Sequence, residues 1–242
     1  METTLGDPLA PFSEPVRKWF SASFEGATPA QASGWESIAS GADTLICAPT
    51  GSGKTLASFL WGIDRLSRLH ADIGAGRVPE PEPGVRLVYV SPLKALSYDI
   101  ERNLRAPLRG IGLDISVGLR TGDTPQNERN RMRREPPEIL ITTPESLYLM
   151  LSSGAREILT RVETVIVDEI HAVAATKRGA HLALTLERLE HLVRENAAEQ
   201  LAIDGQPDSA VVQRIGISVT QRPLERTATF LSRPSRECRV VD

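Results

Sequence analysis

The chain has 242 residues and a net charge of −3, with 40% hydrophobic and 24% charged residues. That length supports one large core or two small ones, and the composition is ordinary for a globular protein. The slight negative balance excludes a global basic field, so any contact with nucleic acid would have to be local. No apolar run approaches the ~18 to 20 residues needed to cross a bilayer. The opening METTLGDPLAPFSEP has neither the basic start nor the apolar centre of a signal peptide. A cytoplasmic protein without membrane contact is the expectation. Cys47 and Cys238 are far apart and the four histidines are scattered, which gives no metal-cluster spacing. Cys47 lies in an apolar run and reads as a small core residue.

In chain order, strand-length apolar runs recur at 44–48, 86–90, 114–119, 138–142, 164–168 and 214–218. They are rich in Val and Ile and nearly continuous, as strands buried on both faces should be. Stretches of helical spacing lie between them, at 53–69, 93–108 and 179–193. The alternation predicts an α/β fold, a mainly parallel sheet with helices on both faces. Two segments read as surface loops: 72–84, crowded with Gly and Pro, and 196–210, polar and without a clear period. Neither separates two complete cores, so a single domain over 1–242 is expected.

LICAPTGSGKTLASFL is a strand, a glycine turn and a helix, the context that a phosphate-gripping loop requires. Thr50, Gly51, Ser52, Gly53, Lys54 and Thr55 form the expected cradle. The glycines let the backbone approach a phosphate, and the loop amides and helix start point at the anion. Lys54 suits the β- and γ-phosphates, and Thr55 offers a hydroxyl to Mg²⁺. Ala48 stands where the strict pattern has its first glycine.

VETVIVDEIHAV ends an apolar strand with Asp168 and Glu169. Carboxyl ends of parallel strands face the ligand crevice, so both acids can reach the region of Lys54. Asp168 suits holding Mg²⁺ through its water shell, and Glu169 suits activating a water for attack on the γ-phosphate. A base beside the metal site favours hydrolysis over transfer to a small molecule. His171 could pass the nucleotide state to other elements. Taken without the phosphate loop, this acidic pair would read as a solvated strand end.

The phosphate loop and DEIH together resemble the first motor domain of a superfamily 2 helicase, the group that includes the DEAD/DEAH-box enzymes. Other blocks follow in that group's order. FEGATPAQ (24–31) precedes the phosphate loop as an adenine-reading motif does, with Gln31 as reader. SPLKAL (91–96), RTGDT (120–124) and TTPESL (142–147) look like the blocks that grip a nucleic-acid strand, and GISVTQRP (216–223) lies where the coupling motif belongs. DEIHAVAATKRGAHLALTLERL, GISVTQRPLERTATFL and ITTPESLYLML are similar to the Lhr family of large helicase-related ATP-dependent DNA helicases.

That resemblance implies a RecA-like domain that binds ATP and Mg²⁺, hydrolysis coupled to 3′-to-5′ movement on single-stranded DNA, and a part in DNA repair. It implies as partners single-stranded or partly duplex DNA, RNA–DNA hybrids as a further candidate, and a second motor domain in a longer chain or in trans. Phe24 is the expected base-stacking residue. For Trp19 and Phe20, packing around an entry helix is the equal alternative. Lys94, Arg120, Thr121, Thr143 and Glu145 are the candidate contacts to a nucleic-acid backbone, with turn or cap chemistry as the alternative for each. The basic cluster NERNRMRR (127–134) reads as a solvated helix face.

Ser218 and Thr220 supply the two hydroxyls of the coupling motif, but Val219 stands between them where the family has Ala. Weaker coupling between ATP and DNA is expected from the added bulk. Family members continue into a second motor domain that supplies arginine fingers. A first domain alone is expected to bind ATP weakly and turn it over very slowly, as a truncated nucleotide- and nucleic-acid-binding module.

Overall fold

A computed structural model describes residues 6–204, 211–219, 224–232 and 236–242. Among these residues seven parallel strands form one sheet: β1 (Asp43–Cys47), β2 (Leu87–Val90), β3 (Val117–Arg120), β4 (Ile139–Thr142), β5 (Thr164–Val167), β6 (Gln213–Ser218) and β7 (Cys238–Val241). Their spatial order is β3-β4-β2-β5-β6-β1-β7.

Six of these strands fall within the predicted apolar runs or overlap them by most of their length. β7 does not: its burial is partial and it lies at the sheet edge against β1, so it lacks the apolar signature of a central strand. The inner strands are buried on both faces, and the period of two sorts their side chains into two cores. Leu87, Tyr89, Ile139, Ile141, Ile166, Ile215 and Ile217 face one core, while Val88, Val90, Leu140, Val165 and Val167 face the other.

Among the described residues eight α-helices cover these faces: α1 (Glu14–Ser23), α2 (Pro29–Ala39), α3 (Lys54–Gly74), α4 (Lys94–Ile111), α5 (Gln126–Arg134), α6 (Pro144–Leu151), α7 (Lys177–Asp204) and α8 (Leu224–Leu231). The first core also holds Val16 and Phe20 of α1, Trp35 and Ile38 of α2, Phe59, Leu60 and Ile63 of α3, and Leu104 and Leu108 of α4. The second holds Leu147 and Met150 of α6, Leu182, Leu186, Leu189 and Val193 of α7, and Leu231 of α8. Cys47 belongs to this second core, and burial pushes its thiol up to about 11.

Two predicted loops are corrected. Residues 196–204 continue α7 rather than forming a loop, while 205–210 lie outside the described residues. Up to Glu199, where side chains are described, the buried line is Leu189, Val193 and Ala197, spaced by four, so few other positions there need be apolar. Likewise 72–74 complete α3, so the irregular segment starts at Ala75.

Local chemistry sets the helix starts that matter for the site. Thr28 caps α2: its hydroxyl accepts from Gln31 N at 3.2 Å while Gln31 Oε1 accepts from Thr28 N at 3.0 Å, a complete capping box. Thr143 caps α6, and Pro144 follows at the first helical position. α7 starts against the turn that follows β5. A Cβ on Gly179 would overlap the Val173 carbonyl, which is backbone and cannot swing away. Gly179→Ala should therefore destabilise the chain by about 1–2 kcal/mol after the gain in helix propensity. Thermal unfolding should show Tm lower by roughly 2–8 °C; an unchanged Tm would mean that this helix start can shift freely.

Candidate nucleotide and nucleic-acid site

β5, β6 and β1 are adjacent, and their carboxyl ends carry the acidic pair, Ser218 and the phosphate loop side by side. Ala48 N donates to the Ser218 carbonyl at 3.2 Å, joining the root of the loop to the end of β6. Gly51 and Gly53 adopt φ of 85° and 78°, the left-handed region in which a side chain is strained.

The loop is clamped from α2. Thr28 Oγ1 donates to the Ser52 carbonyl at 2.8 Å, and Gln31 Nε2 donates to the Gly53 carbonyl at 3.3 Å. The Gln31 amide sits where a Cβ on Gly53 would be, so that position admits only glycine on two counts. Gln31 thus caps a helix with its oxygen and holds the loop with its nitrogen.

Lys54 opens α3 and is only 7% exposed, with its ammonium donating to the Pro49 carbonyl at 3.1 Å. A buried ammonium whose hydrogen bond is to a backbone carbonyl is suited to an anion. Ser52 Oγ, also in the loop, is buried without a hydrogen-bond partner. Both features fit a phosphate group. Phe24 is 42% exposed and, with Trp19, Thr55, Leu56, Phe59 and Pro107, lines an apolar cavity of about 300 Å³ next to the start of α3. Phe20 is instead buried in the core, and Trp19 stands edge-on to both phenylalanines.

Asp168 is 5% exposed and both its oxygens are engaged. Oδ1 accepts from Glu169 N at 2.8 Å, and Oδ2 accepts from the Tyr89 hydroxyl. Glu169 has φ 45° and ψ 40°, and among the described residues it is the one non-glycine with positive φ. Its carboxylate lies 3.3 Å from His171 Nε2, and His171 Nδ1 lies 3.2 Å from Ser218 Oγ. Ser218 Oγ also donates to the Val219 carbonyl at 2.9 Å. The histidine therefore bridges the acidic pair and the end of β6. Thr220 lies outside the described residues.

The other half of the rim, at the ends of β3, β4 and β2, holds the candidate nucleic-acid contacts. Four of the five have described side chains, and most are engaged. Thr121 is buried and its hydroxyl accepts from Asp123 N at 3.3 Å inside the turn. Thr143 Oγ1 donates to Ser146 Oγ at 3.0 Å and accepts from Ser146 N at 3.4 Å as the α6 cap. Glu145 forms a two-pronged pair with Arg178 at 2.5 and 3.0 Å, and that guanidinium holds its carboxyl below the usual range. Thr121 and Thr143 thus do the turn and cap work that was the alternative reading, while Glu145 is engaged by an ion pair that neither reading named.

Arg120 differs. Its Nη1 is buried without a hydrogen-bond partner, and burial, then Arg129 and Arg133 nearby, lower its pKa. The Lys94 side chain lies outside the described residues.

The basic cluster is also not wholly a solvated face. Arg129 of α5 donates to the carbonyls of Thr124 at 2.7 Å, Gly122 at 2.8 Å and Thr121 at 3.3 Å, gathering the RTGDT turn around one guanidinium. A long donor five residues after a glycine-containing turn is a signal that the sequence did carry.

A family model described as DEAD/DEAH box helicase matches residues 28–224. The chain belongs to the DEAD/DEAH box helicase family. It is also similar to Lhr proteins. It is 54% identical to the Lhr helicase/probable uracil glycosylase of Mycolicibacterium smegmatis, over 96% of this chain and 14% of that protein. It is 46% identical to the ATP-dependent helicase Lhr-Core of Methanothermobacter thermautotrophicus, over 94% of this chain and 25% of that protein. The chain thus spans a minor share of the relatives it matches.

Among solved structures, Mycobacterium smegmatis helicase Lhr bound to ssDNA and AMP-PNP matches with a TM-score of 0.81 and 52% identity, over 98% of this chain and 28% of that one. Mss116p bound to ssRNA and AMP-PNP shares the fold at a TM-score of 0.76 and 21% identity, with 100% of this chain and 45% of that one covered.

Removing the guanidinium of this helicase-family chain that gathers the RTGDT turn should loosen that turn. Charge-assisted bonds contribute about 1.5–3 kcal/mol each, so Arg129→Ala should speed amide exchange over 121–124 by roughly tenfold or more. Protection in β4, β5 and β6 should stay as it was. Unchanged exchange at the turn would show that Thr121 and Thr124 hold it unaided.

Proposed function

We propose that this chain is the first, ATP-binding motor domain of an Lhr-type DNA helicase, which couples ATP hydrolysis to movement on single-stranded DNA when joined to its second motor domain. The observation that carries the reading is the adjacency of β5, β6 and β1, which puts Lys54, Glu169, His171 and Ser218 on one rim.

In this reading the adenine stacks on Phe24 and is read by Gln31. The amides of Thr50, Gly51, Ser52 and Gly53 surround the phosphates, and Lys54 turns from the Pro49 carbonyl to the β- and γ-phosphates. The Thr55 hydroxyl and the Asp168 carboxylate are hard oxygen donors, a set that suits Mg²⁺ with phosphates and water completing the shell. The metal supplies neutralisation of the charge that builds on the phosphates. Glu169 accepts the proton of the attacking water. His171 and Ser218 relay the resulting change to the end of β6, with Thr220 the expected second coupling hydroxyl.

On the other half of the rim, Arg120 is the best-supported contact to a sugar-phosphate backbone, because its guanidinium has an orphaned donor. Lys94, Thr121, Thr143 and Glu145 complete the proposed track, the last three through the backbone positions their side chains hold. A 3′-to-5′ direction, action on RNA–DNA hybrids, a part in DNA repair and a cytoplasmic setting belong to the same proposal. Among the described residues no helix is long and apolar enough to cross a membrane.

Two measurements test it. In a fluorescent-ATP titration of the chain, Lys54→Ala should bind about tenfold more weakly or worse, and equal binding by both would remove the phosphate site. In the full-length protein, Glu169→Gln should keep nucleotide affinity while DNA-stimulated ATPase falls by roughly 10²–10⁴. Wild-type turnover by that variant would reassign the base.

A further inference from the structure

We propose that Tyr89 is a positioning residue for Asp168, fixing the carboxylate in the orientation that receives the Mg²⁺ of bound ATP. The inference rests on the ATP–Mg²⁺ reading above and adds to it a residue from the opposite half of the sheet.

Tyr89 lies on β2, and β2 is the neighbour of β5, the strand that ends in Asp168. Its side chain is fully buried, and its hydroxyl donates to Asp168 Oδ2. The backbone N–H of Glu169 donates to the other oxygen, Oδ1. Each carboxylate oxygen has two acceptor sites. The two bonds take one site on each oxygen, prevent rotation about the Cβ–Cγ bond, and leave the remaining lone pairs for a metal-bound water.

The tyrosine ring is itself held. It stacks on Phe59 with centroids 4.7 Å apart and planes 17° from parallel. Phe59 lies one helical turn beyond Thr55 on α3. A short chain of contacts therefore runs from the helix turn that bears the Thr55 hydroxyl, through Phe59 and Tyr89, to Asp168. Both proposed metal-holding groups hang on one rigid aromatic stack. A phenylalanine at position 89 would satisfy the core equally well, so the hydroxyl is needed only for the carboxylate. Groups that orient metal-binding ligands typically change metal affinity 10- to 100-fold when removed.

The test is a Mg²⁺ titration of fluorescent-ATP binding to the full chain, wild type against Tyr89→Phe, with a parallel titration in EDTA. The expected result is a Mg²⁺ requirement raised roughly tenfold in Tyr89→Phe, with metal-free nucleotide affinity and the thermal unfolding midpoint close to wild type. Phe59→Leu, which keeps the hydroxyl but loosens the ring, should shift the Mg²⁺ requirement in the same direction by a smaller factor. If Tyr89→Phe loses its fold, Phe59→Leu decides alone.

A Mg²⁺ dependence identical to wild type in the folded variants overturns the role of Tyr89 and leaves the ATP site standing. Failure of Mg²⁺ to strengthen binding in the wild type overturns this proposal together with the metal reading. Loss of binding in EDTA as well as in Mg²⁺ also overturns it, because the effect would then lie in the nucleotide pocket as a whole.

Discussion

The clamp between the start of α2 and the glycine turn is the constraint on which the site depends. A phosphate loop must expose its amides, and exposed amides leave the loop with few bonds to hold its shape. Gln31 and Thr28 supply those bonds from outside, on the carbonyls of Gly53 and Ser52. α2 is in turn fixed to α3 by Trp35, whose indole N–H donates to the Ala57 carbonyl at 3.0 Å and whose ring meets Phe12 edge-on. The loop therefore inherits its rigidity from the aromatic core beneath it. The amide at position 31 is essential to this: a carboxylate would complete the capping box but could not donate to the Gly53 carbonyl.

The second constraint is the sharp exit from β5. Glu169 sits in the left-handed region, a conformation that costs a non-glycine residue on the order of 1–3 kcal/mol. The surroundings enforce it: Asp168 N is tied to the Val90 carbonyl at 2.9 Å, Ala172 N to the Glu169 carbonyl at 2.8 Å, and Ile170 is fully buried. With its backbone fixed at both ends, the Glu169 side chain reaches His171 rather than extending the strand. Strain stored at a position with a carboxylate aimed into the rim fits a chemical role better than a folding one.

Much of this was legible in the sequence, for physical reasons that differ by element. The central strands were readable because burial on both faces leaves a dense apolar run, and the phosphate loop because its chemistry demands glycines at fixed offsets. β7 was not, since an edge strand needs no such density. The end of α7 was misread because the apolar period fades there: of residues 194–199 only Ala197 is buried. For Thr121 and Thr143 the turn and cap alternative was readable from residue type and position, whereas the Glu145–Arg178 pair joins residues 33 apart and was not. The Tyr89–Asp168 bond joins residues 79 apart in the chain, and only the order of the strands brings them together.

That strand order also divides the work of the rim. β5, β6 and β1 carry the proposed nucleotide groups, while β3, β4 and β2 carry the proposed nucleic-acid groups, and the boundary falls between β2 and β5. Two connections matter there and beside it. Tyr89 crosses the boundary to hold Asp168, and His171 spans from the acidic turn to Ser218 on the next strand. The first is buried and stacked against Phe59, so it can hold a geometry but not change it. The second is partly exposed, with Nδ1 beside Ser218 and Nε2 beside Glu169, so it can follow a shift of either group. A static brace and a partly exposed bridge thus flank the same carboxylates. Nucleotide chemistry at Glu169 would act on the bridge, while the brace would keep in place the Asp168 oxygen proposed to hold the metal.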